Sequence, residues 1–168
     1  MNKTILEVTK DIIDRSKESR EIYLNRIKNA KAKKVTRAVL GCSNLAHAIA
    51  PLSKEEKSSM VNMQKPNMAI ITAYNDMLSA HEPYSTYPSL LKRTLLEDGA
   101  TAQVAGAVPA MCDGVTQSQP GMELSLLSRD NIAMGTAIGM SHNVYDGAFY
   151  LGVCDKIVPG LLIGALSF

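Results

Sequence analysis

The residue pattern of this chain predicts an α/β fold: a layered, mostly parallel sheet flanked by helices and preceded by a helical N-terminal segment. Three apolar runs of strand length, each bounded by turn residues, carry that reading: Met68 to Tyr74, Ala102 to Val108, and Ala148 to Val153. Helical stretches separate them, and strands alternating with helices imply right-handed crossovers between parallel strands. Each run also leads into polar groups, namely Asn75-Asp76 with His81, Cys112-Asp113 and Cys154-Asp155-Lys156. In open α/β sheets, ligands bind in the crevice beyond the carboxyl ends of the strands.

Taken in order, Ile5, Val8, Ile12, Ile13, Ile22, Tyr23 and Ile27 recur at helical spacing between Thr4 and about Lys34, giving an amphipathic helix or a helix pair. Its basic end, Lys28, Lys31, Lys33, Lys34 and Arg37, reads as a solvated helix end, because acidic residues interrupt the wider surface. Ser53 is placed to cap a charged helix with Glu56 at the capping-box position. The helical segment is assigned to residues 1–66 and the start of the α/β domain to residues 67–168.

Within the α/β part, Pro83 and Pro88 bracket the entry to a helix through Leu90, Leu91, Leu95 and Leu96, with Gly99 as its cap. Ser128 is expected to cap the next helix, which carries Ile132, Met134, Ile138 and Met140. Asp146-Gly147 reads as a plain turn into the last strand. Pro159 close to a helix start completes a strand, turn and helix, because the first-turn N–H that proline lacks has no intrahelical partner.

At 168 residues and 46% hydrophobic, the chain supports one sizeable core. Eighteen basic residues against sixteen acidic ones leave a net charge of +2, too weak a field to imply nucleic acid. No stretch approaches the ~20 apolar residues of a membrane span, and Met1-Asn2-Lys3-Thr4 leads into charged helix rather than a signal core, so a cytoplasmic, non-membrane protein is expected. Cys42, Cys112 and Cys154 are odd in number and widely spaced, which suits reduced thiols or metal ligands better than a disulfide framework. Walker, GxGxxG and serine-elbow motifs are absent.

If the strand-end clusters converge, Asp113 and Asp155 offer hard oxygen ligands suited to Mg²⁺, while Cys154 favours a thiophilic metal or an iron–sulfur cluster. Taken alone, Asp113-Gly114 reads as a turn. His47, His81 and His142 stand at no metal-binding spacing and read as hydrogen-bonding histidines.

Four long blocks stand in order: Tyr74 to His81 (YNDMLSAH), Pro109 to Gln117 (PAMCDGVTQ), Gly121 to Arg129 (GMELSLLSR) and Val153 to Gly160 (VCDKIVPG). Together they resemble the dihydroxy-acid and phosphogluconate dehydratase family, most closely its phosphogluconate branch. The resemblance implies removal of water from 6-phospho-D-gluconate to give 2-dehydro-3-deoxy-6-phospho-D-gluconate, in the Entner-Doudoroff pathway. It implies an iron–sulfur cluster of the 4Fe-4S type with Cys154 as a ligand. It also implies Mg²⁺ held by Asp113, Asp155 and, if carbamylated, Lys156.

Family members are several times longer, with a second β-rich domain and a general base outside these residues, so the chain resembles their N-terminal portion and is expected to be inactive alone. A homodimer or higher homo-oligomer is implied for the full-length enzyme. Many relatives place a cluster cysteine where this chain has Ala80 before His81; the third ligand is therefore open, and Cys42 and Cys112 read as structural thiols. Lys92, Arg93 and Arg129 suit either substrate phosphate or a helix surface. The alternatives are a dihydroxy-acid or other sugar-acid dehydratase and, in another class, a non-catalytic oligomerisation or scaffold module.

Overall fold

The computed structural model describes residues 2–32 and 37–168, and the chain divides into two compact units, Met1–Val35 and Thr36–Phe168. In the first, α1 (Lys3–Ala32) is a single helix rather than a pair. Its apolar stripe is exposed, Ile13 at 60% among it. Lys33 and Lys34 lie outside the described residues, as does the side chain of Lys31.

The second unit is built on three parallel strands, β1 (Asn67–Thr72), β2 (Thr101–Ala107) and β3 (Gly147–Leu151), in the order β2-β1-β3. Asn67 registers with Thr101 of β2, and Met68 with Gly147 of β3. The central strand is buried at every position but Met68, as a parallel strand covered on both faces requires. It ends sooner than the apolar run does, because the Thr72 hydroxyl captures the Tyr74 N–H at 3.1 Å.

Helix α2 (Cys42–Ile49) and helix α3 (Lys54–Asn62) precede the sheet. The expected capping box opens α3: the Glu56 N–H donates to Ser53 Oγ and the Ser53 N–H to the Glu56 carboxylate. Helix α4 (Tyr87–Glu97) connects β1 to β2 and ends before Gly99, whose φ of +73° is the left-handed conformation glycine adopts freely. The short α5 (Asp113–Thr116) and then α6 (Leu124–Met140) connect β2 to β3, and α7 (Ile157–Ala165) follows β3. Ser128 is not the cap of α6. The turn at Pro120–Glu123 runs straight into the helix, so Ser128 lies inside it and donates to the Ser125 carbonyl at 2.6 Å.

Ala69, Ile71 and Ala73 face Ile132, Met140, Ile157 and Leu161 in the main core, the alternation of two that a strand imposes. Two glycines let α7 lie directly on α6. A Cβ on Gly160 would meet the Arg129 carbonyl and the Ile132 side chain at 2.8 Å, and one on Gly164 would meet Thr136 Cβ at 2.6 Å. Gly160→Ala is therefore expected to destabilise by about 1–3 kcal/mol. Gly106→Ala, where a Cβ meets nothing within 4 Å, should not destabilise measurably, and thermal unfolding of the two variants checks the contrast.

The amino ends of the strands are closed by a polar seam. Arg37, expected on a solvated helix end, is only 3% exposed: its guanidinium donates to the Asp146 carboxylate and the Lys65 carbonyl. Asp146 also accepts from the Asn67 N–H at 2.8 Å. The supposed plain turn at Asp146-Gly147 thus compensates a buried cation, the condition under which arginine tolerates burial.

Candidate functional site

The path of the chain selects one place on the sheet. From β1 it moves to β2 on one side, then returns past β1 to β3 on the other. With right-handed crossovers the intervening helices α4 and α6 cover opposite faces. The connections therefore diverge at the carboxyl ends of β1 and β3, the switch point where open sheets leave a crevice. The loops after β2 and β3 reach towards each other over the end of β1. Their first steps are fixed by the Val108 N–H donating to the Thr72 carbonyl at 2.9 Å and the Ala73 N–H to the Leu151 carbonyl at 2.8 Å.

Two Cys-Asp pairs meet there. The Cys154 thiol donates to the Cys112 sulfur at 3.8 Å. Beside them the Lys156 ammonium lies 2.5 Å from Asp155 Oδ2 and 3.8 Å from Asp113 Oδ2, so both carboxylates address one cation. The other oxygen of Asp113 accepts from the Ser125 hydroxyl at 2.5 Å, which fixes that carboxylate against the first turns of α6.

Cys154 itself has φ of +83°, a conformation that costs a non-glycine residue of order 1–3 kcal/mol and persists only where the surroundings enforce it. Burial raises the pKa of its thiol, and so do the hydrogen bond and charge of Cys112 and the charges of Asp155 and Asp113. The hydrogen bond from Lys156 holds the Asp155 carboxyl below its usual range, and the same bond raises Lys156.

Tyr84 lies within electrostatic reach of Cys154. Burial raises the pKa of Tyr84, with smaller contributions from Tyr87 and Cys154. The His81 ring stands edge-on to Tyr84, 6.1 Å between centroids. His81 is fully buried, and its Nδ1 donates to the Ala73 carbonyl at 2.9 Å. A carbonyl can only accept, so Nδ1 carries the proton, and Nε2 has no hydrogen-bond partner among the described residues.

The sequence family described as Dihydroxy-acid/6-phosphogluconate dehydratase N-terminal matches residues 65–168, which include every group of this site. The chain belongs to the dihydroxy-acid/6-phosphogluconate dehydratase family. It is 60% identical to "Phosphogluconate dehydratase" of Escherichia coli K12 over 168 residues, all of this chain and 28% of that protein. Identity to the protein of the same name from Rhizobium meliloti is 59% over 164 residues, 98% of this chain and 27% of the relative. A "Dihydroxy-acid dehydratase" of Akkermansia muciniphila is 32% identical over 105 residues, 62% of this chain and 19% of that protein. The chain thus spans about 28% of the length of the phosphogluconate dehydratases it matches.

In this segment Asp113, Cys154, Asp155 and Lys156 come together, whereas Asn75 and Asp76 beyond β1 do not join them. Asp76 is exposed, and Asn75 accepts from the Met77 N–H at 2.9 Å as a turn residue does. Of that expected cluster, His81, in the segment after β1, is the residue that borders the site through Tyr84. Of the three candidate phosphate partners, Arg129 bears on the site: its charge acts to lower the pKa of Lys156, although its own ion pair is with Asp130. Cys42 is exposed at the start of α2.

Among the described residues no group of three or more His, Cys, Asp or Glu is arranged to hold a metal ion, and no helix is long and apolar enough to cross a membrane. A cavity of about 390 Å³ lined by His47, Gln103, His142 and Tyr145 contains none of the strand-end groups. Ser125 and Tyr84 are the participants that sequence reasoning missed. Starting α6 at Ser128 had left Ser125 outside the helix that aims it, and no spacing signal pointed to Tyr84.

Proposed function

We propose that this chain is the N-terminal part of a hydro-lyase that removes water from 6-phospho-D-gluconate to give 2-dehydro-3-deoxy-6-phospho-D-gluconate in the Entner-Doudoroff pathway. One observation carries the reading. Identity to proteins named phosphogluconate dehydratase is 53–60% over the whole chain, against 32% over 105 residues for a dihydroxy-acid dehydratase. Ala80 in place of a cysteine favours the same branch.

Cys154 is proposed as a ligand of an iron–sulfur cluster, 4Fe-4S in type, with Asp113, Asp155 and carbamylated Lys156 holding Mg²⁺ beside it. The donor chemistry fits: two soft sulfurs in contact adjoin two hard carboxylates at the switch point. When bound, cluster and Mg²⁺ supply Lewis acidity for the departing hydroxide and the substrate carboxylate. The chain's own groups set up the rest. Ser125 orients Asp113, while the Lys156 ammonium balances both carboxylates. In carbamylation the deprotonated Lys156 amine adds to CO₂ and a proton is released. That would replace the positive charge with an anionic oxygen donor and turn a neutralised group of charges into one that attracts a divalent cation. The three-ligand group absent among these residues is then completed from elsewhere in a longer, homo-oligomeric enzyme.

A substrate panel on anaerobically purified full-length protein tests the assignment. 6-Phospho-D-gluconate is expected to be dehydrated with the highest kcat/KM, well above unphosphorylated gluconate and branched 2,3-dihydroxy acids. Preference for a dihydroxy acid would transfer the chain to the other branch. Absence of both iron and turnover would support the scaffold reading.

A further inference from the structure

We propose that Cys112 is a second thiolate ligand to the iron–sulfur centre, acting with Cys154 and taking the part left open by Ala80. The inference rests on the reading of Cys154 as a cluster ligand and goes beyond it. Both residues begin a Cys-Asp dipeptide at the end of a strand, and β2 and β3 are separated by β1. The two loops nevertheless bring the sulfurs to 3.8 Å and the adjoining carboxylates to one ammonium. Thiols lie with thiols and oxygens with oxygens, which sorts soft donors from hard ones as a mixed site for a thiophilic metal and a hard cation requires.

The spacing itself is informative. In a disulfide the sulfurs are ~2.05 Å apart. At 3.8 Å Cys112 and Cys154 are close but not covalently bonded to each other, so both sulfurs remain free to ligate metal. Both cysteines are half-buried, accessible from the crevice rather than sealed in the core, and Cys154 is held in its left-handed conformation to present its sulfur there. Cys42 shares none of this, being exposed on α2. The donor count agrees as well: Cys112 raises the soft donors at this point to two without disturbing Asp113, whose carboxylate Ser125 and Lys156 already engage.

The test uses the full-length protein prepared anaerobically, comparing wild type with Cys112→Ser, Cys154→Ser and Cys42→Ser by iron and sulfide content and by the electron paramagnetic resonance spectrum of the reduced centre. Loss of a residue that merely supports a ligand weakens metal binding by ~10–100-fold. Cys112→Ser is therefore expected to lose at least ~10-fold in iron retention under chelator challenge, or to keep iron with an altered spectrum, while Cys42→Ser matches wild type. Wild-type iron, sulfide and spectrum in Cys112→Ser, alongside loss in Cys154→Ser, would overturn the inference and leave the dehydratase reading intact. A wild-type protein without iron or sulfide would overturn the cluster reading itself.

Should Cys112→Ser fail to fold, differential alkylation of wild type gives the answer. Cys112 is expected to be protected in the loaded protein and reactive once the cluster is removed and the thiols are reduced. Alkylation of Cys112 in the loaded protein, with Cys154 protected, would overturn the proposal.

Discussion

Cys154→Ser in the full-length enzyme should abolish dehydration of 6-phospho-D-gluconate and strip most iron and sulfide from anaerobic preparations. The effect is expected to be near-complete because Cys154 joins three constraints at one atom. Its backbone is held at φ +83°, its sulfur touches Cys112, and the next two residues carry the Asp155–Lys156 pair that also engages Asp113. Serine is close in shape and keeps the backbone, so the substitution exchanges a soft donor for a hard one with little change in packing. The thermal midpoint should therefore stay near that of the cluster-free wild type. Normal iron content and full turnover in Cys154→Ser would remove Cys154 from the site. A collapsed midpoint would instead mark it as a packing residue of the core that it borders.

Much of this arrangement was legible in the residues. Period and punctuation gave the three strands, the capping box of Ser53 and Glu56, and the glycine end of α4, because each is a local signal read over a few positions. What was not legible depends on contacts across long sequence separations. Arg37 and Asp146 are 109 residues apart, and either alone reads as a surface charge or a turn; only the sheet order brings them together at the strands' amino ends. Ser128 was mistaken for a cap because serine before an apolar periodic run is a common helix start. The proline-led turn ahead of it begins the helix earlier and turns Ser125 towards Asp113. The pairing of Cys112 with Cys154 depended on the same kind of fact. Sequence order gives no sign that loops after two non-adjacent strands will bend over the strand between them.

The 168 residues expressed alone should neither dehydrate 6-phospho-D-gluconate nor keep an intact cluster after anaerobic reconstitution with iron, sulfide and Mg²⁺. They place one pair of thiols beside two carboxylates that share an ammonium, but among the described residues no three such groups are arranged to hold a metal ion. A centre with fewer protein ligands exchanges with solvent and chelators, so any iron taken up should be lost on gel filtration. The same preparation should self-associate. Leu127, Met134 and Ile138, spaced seven and then four residues apart along α6, are each more than 60% exposed, an apolar stripe of the kind that marks an interaction surface. Association that grows with concentration in sedimentation, reduced by Leu127→Lys with Ile138→Lys, would trace it to that stripe. Turnover by the segment comparable to the full-length enzyme would overturn the proposal that its ligand set is completed elsewhere, and would require a general base within these residues. His81, whose buried Nε2 has no hydrogen-bond partner among the described residues, would be the first to substitute.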